Sequence, residues 1–165
     1  MIVTRRLVLC DPDVCLGCQI CEFVCSATKE KSLDSSLSRI HVVNFENLGN
    51  VAMACMLCEK PPCVTACPRR ALHQNEEGVI QVDETKCNGC GWCIMVCKFG
   101  AITLHLKRRV VTVCDLCDGE PECVKACPFE GALTYATLEE VAHKFRRNTV
   151  MYILQELAGK SKRSV

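Results

Sequence analysis

Sixteen of the 17 cysteines in this 165-residue chain stand in four runs of four, and every run closes on the same three-residue gap. The first run is Cys15, Cys18, Cys21 and Cys25, spaced C-x2-C-x2-C-x3-C, and the third, Cys87, Cys90, Cys93 and Cys97, repeats that spacing. The second run (Cys55, Cys58, Cys63, Cys67) and the fourth (Cys114, Cys117, Cys123, Cys127) lengthen only the inner gap, to x4 and x5, and each is followed by a proline, Pro68 or Pro128. Three thiolates at this spacing converge from one tight loop onto three irons of a cubane, while the loop's N–H groups point at the inorganic sulfides. The trailing cysteine lies one helical turn further on. At four thiolates per cubane, sixteen correspond to four [4Fe–4S] clusters. A proline after the fourth cysteine suits the first turn or the break of a helix, since it has no N–H to leave unpaired.

Two other uses of dense cysteine fit less well. Disulfide scaffolds belong to short secreted chains. Here Met1 to Leu9 contains Arg5, Arg6 and only a short apolar run, which does not read as a secretory leader, and the cysteine count is odd. Zinc sites pair C-x2-C units across a longer stretch and often use histidine, whereas each motif here is a compact triple with a trailing fourth. The hydrophobic fraction of 49% is inflated by these cysteines, and only 5% of residues are aromatic. The clusters must therefore serve as core, so metal binding becomes part of the folding free energy and the apo chain is expected to be largely unfolded. A net charge of +1 does not mark a nucleic-acid binder. No apolar run reaches the roughly 18 residues needed to span a membrane.

Between the runs the chain alternates short strands and polar turns. Arg39–Phe45 and Val51–Ala54 read as one hairpin around the turn 47–50. Ala71–Gln74 and Val79–Asp83 read as a second, and Ala101–Leu106 with Val110–Val113 as a third. Lys29–Ser38 is polar and reads as an exposed loop. After the last run, Thr137-Leu138-Glu139-Glu140 has the form of a capping box, and Leu138, Val141, Phe145, Tyr152, Ile153, Leu154 and Leu157 predict a helix over about 138–158. Its apolar face is equally suited to a partner or to its own domain, with Lys160–Arg163 as a solvated end. Cys10 reads as a small strand residue without a ligand role. His41, His73, His105 and His143 read as surface or packing residues. Lys98 follows Cys97 where runs two and four have proline; a cation there favours the reduced cluster, unless its head simply reaches into water.

The order of the four motifs, the Cys-Pro endings, Cys114-Asp115-Leu116-Cys117 and Glu122-Cys123-Val124-Lys125-Ala126-Cys127-Pro128 are similar to the four-cluster ferredoxin-type electron-transfer subunits of large oxidoreductases. The resemblance covers residues 7–135. That family includes iron–sulfur subunits of dimethyl sulfoxide reductase, formate dehydrogenase and hydrogenase-linked complexes, and small subunits of tungsten aldehyde oxidoreductases and benzoyl-CoA reductases. It implies an α+β fold of duplicated ferredoxin-like units over 1–136, with runs one and four paired and runs two and three paired, and a C-terminal docking segment over 137–165. It also implies the ligand sets. Cys15, Cys18 and Cys21 would join Cys127, and Cys114, Cys117 and Cys123 would join Cys25. Cys55, Cys58 and Cys63 would join Cys97, and Cys87, Cys90 and Cys93 would join Cys67.

The x5 loop Asp118–Glu122 and the chain's small size resemble a compact cytoplasmic subunit of the tungsten aldehyde-oxidoreductase type more than a membrane-linked one. The implied partner is a large catalytic subunit with a tungsten- or molybdenum-pterin centre, with a flavin subunit, a ferredoxin or further copies of this chain as other contacts. No G-x-G-x-x-G follows a strand, and no nucleophile or base stands out, so the chain itself is expected to be non-catalytic. The other reading is a free soluble polyferredoxin, which is disfavoured because such carriers are often markedly acidic.

Overall fold

The computed structural model describes residues 5–46 and 49–161. Eight short strands form four separate two-stranded antiparallel sheets rather than one continuous sheet. Three are the hairpins expected between the runs: β2 (His41–Phe45) with β3 (Gly49–Met53), β4 (Leu72–Gln74) with β5 (Ile80–Val82), and β6 (Ile102–His105) with β7 (Val110–Val113). Asn47 and Leu48, expected in the first turn, lie outside the described residues. The fourth sheet joins the ends of the domain. β1 (Arg6–Cys10) pairs with β8 (Leu133–Thr137), Arg6 opposite Thr137 and Cys10 opposite Leu133.

A helix follows the start of each run: α1 (Ile20–Glu30), α2 (Pro62–Thr65), α3 (Trp92–Val96) and α4 (Glu122–Lys125). Proline opens α2 because the N–H missing at its first position would have had no intrahelical partner. Helix α1 packs on α4 and α2 on α3, so the first run meets the fourth and the second meets the third. β1 packs against β3 and β5 against β7, which ties neighbouring two-stranded sheets to one another.

The buried core is a thin mixture of small aliphatic residues and thiols. Ile40, Ala71, Val111, Leu7, Leu72 and Ile80 are buried together with Cys21, Cys25, Cys55, Cys63, Cys93, Cys114 and Cys123. Seven of the sixteen motif cysteines are thus part of the buried core.

The segment 29–38 departs from the exposed loop expected. Helix α1 continues to Glu30 and a 3-10 turn covers Ser35–Leu37. Ser38 is fully buried, its Oγ–H donating to the Ile40 carbonyl at 2.6 Å. Polarity misled at Ser38, whose hydroxyl finds its partner inside the fold, whereas Lys31, Leu33, Asp34 and Ser36 are exposed as expected.

The last helix, α5 (Leu138–Ser161), begins as the capping box predicts. The Glu140 N–H donates to Thr137 Oγ1 at 3.1 Å, and the Thr137 N–H donates to the Glu140 carboxylate at 2.9 Å. Its first turns pack on β8, and Val141, Lys144 and Phe145 share a small cleft with Leu9, Cys10 and Thr134. Beyond that, Val150, Met151, Ile153 and Leu154 are exposed. Among the described residues no helix is long and apolar enough to cross a membrane.

Replacing the fully buried Ile40 by alanine is expected to cost about 2–5 kcal/mol, whereas Val43→Ala on the exposed side of β2 shifts stability by about 0.5 kcal/mol or less. Anaerobic denaturation of the cluster-loaded protein, followed by cluster absorbance, checks the pair.

Candidate iron–sulfur sites

Each run opens with the same backbone device. The residue immediately before the second cysteine has positive φ in all four runs: Gly17 (70°), Leu57 (44°), Gly89 (68°) and Leu116 (60°). This left-handed step curls the C-x2-C segment so that its thiols face inward. Glycine meets the requirement without strain, and at Gly89 no other residue fits, since a Cβ would stand 2.6 Å from the Arg109 carbonyl oxygen. Leucine at 57 and 116 costs about 1–2 kcal/mol in this conformation. Burial of both leucine side chains offsets it.

A second device positions runs one and three. Asp11 and Asp83 stand four residues before Cys15 and Cys87, and their carbonyls accept the Cys15 and Cys87 N–H groups, both at 3.0 Å. Each aspartate also caps its own turn, accepting the Asp13 or the Thr85 N–H through Oδ1. The repeat of aspartate at this offset is a signal the chain carries openly, and cysteine spacing alone passes over it.

Three of the four trailing cysteines, and the leading Cys87, accept a backbone N–H. The N–H of Arg39 donates to Cys25 Sγ at 3.3 Å, that of Ala71 to Cys67 Sγ at 3.3 Å and that of Ala101 to Cys97 Sγ at 3.4 Å. Val111 does the same for Cys87 at 3.4 Å. Such bonds favour the thiolate and are among the factors that set cluster potentials.

The structure gathers the sixteen side chains in groups of three plus one. Cys55, Cys58, Cys63 and Cys97 line a cavity of about 320 Å³. Cys87, Cys90, Cys93 and Cys67 line a second, smaller cleft, and Cys15, Cys18, Cys21 and Cys127 a third. Cys25 lies close to Cys114 and Cys123: burial pushes the Cys123 thiol far up, and Cys114, Cys25 and Cys117 add to the rise. Burial likewise raises Cys21 and Cys114 to about 12, and Cys55 and Cys93 to about 11. Charge on any of these sulfurs is unfavourable until a metal neutralises it, and loading must expel their protons.

None of the seventeen cysteines is disulfide-bonded. Among the described residues no three His, Cys, Asp or Glu side chains close on a point that a single ion would fill. Four thiols around each of three clefts are the donor set that a cubane takes. Cys10 lies outside every group. It sits half-buried on β1 beside Cys15, and burial raises its thiol to about 11.

Several supporting residues were not legible as such. The Glu22 carboxylate, buried on α1, accepts the Val42 N–H at 2.6 Å and ties the first run to β2. An ionic network joins the end of α1 to the fourth run and to the β6–β7 hairpin: Lys29 and Arg39 each lie 2.8 Å from Asp115, and Arg108 and Arg39 meet Glu30 at 2.7 and 3.4 Å. Burial would raise Asp115, yet the Lys29 hydrogen bond, the Cys117 N–H and the Arg39 charge hold its carboxyl below the usual range. His105 belongs to this network, with Nδ1 accepting the Arg108 N–H and Nε2 at 3.6 Å from Glu30, so it is more than a packing residue. His41 pairs with Thr103 Oγ1 at 2.6 Å, and burial lowers its pKa. His73 meets Gln81 on the surface, and His143 is exposed.

Gly89→Ala is expected to displace the Cys87–Cys90 loop and lower iron from about 16 to about 12 per chain, with the remainder intact. Iron and acid-labile sulfide analysis reads this directly. Removing all iron with a chelator under reducing conditions should abolish most far-ultraviolet dichroism, because metal binding is folding free energy here.

Two segments match the family described as 4Fe-4S binding domain, residues 80–103 and residues 115–135. Over 124 residues the chain is 39% identical to the polyferredoxin-like subunit of an aliphatic sulfonate oxidoreductase from Pyrococcus furiosus, covering 74% of this chain and 72% of that protein. Over 153 residues it is 32% identical to a subunit of the anaerobic dimethyl sulfoxide reductase of Escherichia coli K12, covering 81% and 74%. It is 29% identical to the thiosulfate reductase electron transfer subunit PhsB of Salmonella typhi over 153 residues, covering 84% and 79%.

Proposed function

Since the chain belongs to the [4Fe–4S] ferredoxin-type electron-transfer subunits of multi-subunit oxidoreductases, we propose that it relays single electrons through four cubanes between a catalytic subunit and an external acceptor. The ligand sets are Cys15, Cys18, Cys21 with Cys127; Cys114, Cys117, Cys123 with Cys25; Cys55, Cys58, Cys63 with Cys97; and Cys87, Cys90, Cys93 with Cys67. The observation that carries this is the meeting of three thiols from one run with the trailing thiol of its partner run around common clefts. When bound, the clusters supply one-electron redox chemistry. The chain's own residues hold them at fixed spacing, exclude water and donate N–H groups to the sulfurs.

The sets follow one another in a single order. Cys123 is raised in part by Cys21, which adjoins the Cys25 set to the Cys127 set. Cys114 is raised, after burial, by Cys25 and more weakly by Cys55, which adjoins it to the Cys97 set. Run two gives Cys63 to one of the last two sets and Cys67 to the other, run three gives Cys97 and Cys93 in the same way, and α2 packs on α3, which makes those sets neighbours. The proposed relay thus runs from the Cys18 end to the Cys90 end.

The catalytic partner is proposed to be a tungsten- or molybdenum-pterin subunit in the cytoplasm, with a flavin subunit or a ferredoxin as acceptor. The sulfonate oxidoreductase and dimethyl sulfoxide reductase relatives support a large oxidoreductase of this kind. The exposed Val150, Met151, Ile153 and Leu154 of α5 favour a standing partner over a free carrier.

Paired substitutions test the ligand sets. Cys21→Ser and Cys127→Ser are expected to alter the same reduced-cluster signal in low-temperature electron paramagnetic resonance, while Cys25→Ser alters the signal that Cys123→Ser alters. Cys21 and Cys25 affecting one common signal, despite sharing a run, would refute the crossed arrangement.

A further inference from the structure

Among the described residues Cys18 and Cys90 are the exposed cysteines, and they lie in the first and last sets of the proposed relay. Their surroundings differ in kind. Around Cys18 the exposed neighbours are the polar Gln19 and the apolar Leu16, Ile20 and Phe23. Cys90 shares its cleft with Arg69 and Trp92. Trp92 is 57% exposed, and Met95, one turn along α3, is 82% exposed. The Arg69 Nε–H donates to the Lys86 carbonyl at 3.1 Å, which holds its guanidinium at the cleft's rim. Arg70 follows, exposed, and Lys60 and Lys98 stand exposed at the adjoining cavity of the Cys97 set.

Among the described residues Lys60, Arg69, Arg70 and Lys98 form no ion pair. Nearby acids are already engaged: Asp83 with Lys86 and Glu84 with Arg108. Directly beside these four cations in sequence stands one exposed carboxylate, Glu59. Unpaired surface cations add little to stability. Grouped around a low-polarity centre beside an exposed cluster ligand, they attract and orient an anionic partner. Trp92 and Met95 supply the small contact at the middle of such a patch, one a large flat anchor and the other an adaptable thioether.

We propose that the face of Trp92 and Met95, ringed by Lys60, Arg69, Arg70 and Lys98, docks a small acidic iron–sulfur protein that exchanges electrons with the cluster at Cys90. The proposal rests on the four-cluster reading. One electron leaves the cubane held by Cys67, Cys87, Cys90 and Cys93, which goes from the 1+ to the 2+ core, and the partner's cubane goes from 2+ to 1+. No atom or proton moves, and the reverse step balances in the same way. A net charge of +1 over the whole chain gives no sign of these four cations, because it sums acids and bases wherever they lie.

Stopped-flow mixing of the oxidised, cluster-loaded protein with a reduced, acidic two-cluster bacterial ferredoxin tests the face. The second-order rate should fall as salt rises, and Arg69→Glu with Lys98→Glu should slow it at low salt about tenfold or more. Arg146→Glu with Arg147→Glu on α5 is the charge-matched control. A wild-type rate that is flat or rises with salt would overturn the proposal, as would equal slowing by the control pair. Should the glutamate variant load less iron, Arg69→Gln with Lys98→Gln must still show slowing at full iron content, and its absence refutes the face. Reduction of the wild-type protein by reduced methyl viologen separates the two claims. Electrons taken from viologen, with no salt-dependent exchange with ferredoxin, refute the docking face alone; none taken from viologen refutes the relay and the face together.

Discussion

Everything in this fold depends on bringing three cysteines of one loop against a fourth that trails a different loop. No two neighbouring residues can satisfy that geometry, so the chain must cross itself. The helices α1 and α4, and α2 and α3, are the crossing points. Each run gives its first three thiols to one cleft and its last to the next, which makes every pair of helices a reciprocal staple. The short strands are spacers between staples. Their ladders of three to five residues are too small to be stable alone.

The loops reach their positions through strain that is met in two ways. Where the backbone of another segment crowds the turn, as Arg109 crowds Gly89, only glycine is sterically admissible. Where there is room for a side chain, leucine occupies the same left-handed position and burial of its side chain opposes the conformational cost. Two solutions at one structural position explain why the motif shows itself through cysteines and not through the residue that shapes the turn. Around the Cys25 set a second layer of order comes from charge. Lys29, Arg39, Asp115, Glu30 and Arg108 close a half-buried network that connects three segments distant in sequence. Cationic groups so near a cubane stabilise its reduced, more negative state.

The ends of the relay are built for different encounters. On the proposed relay, one end carries exposed apolar side chains beside Cys18 and the other carries Trp92 with flanking cations beside Cys90. Helix α5 adds an apolar surface that leaves the cluster domain after its first turns. A capping box at Thr137 and Glu140 fixes where it starts, and so the direction in which it departs.

Cysteine spacing by itself determined the cofactor class and the number of motifs, and strand and turn patterning the positions of three hairpins, because ligand geometry and strand periodicity are local properties of the chain. The capping box made the start of α5 equally plain. Tertiary structure alone decided the rest. The pairing of β1 with β8 brings together residues more than a hundred positions apart, and nothing in either strand names its partner. The burial of Ser38 and Glu22, and the joining of His105 to Glu30, contradict what their polarity suggests, because each finds its hydrogen-bond or ionic partner on another segment. The cationic face at Cys90 is equally invisible to composition. Net charge is a sum over the chain, whereas a partner meets only the charges that folding has left unpaired on one side.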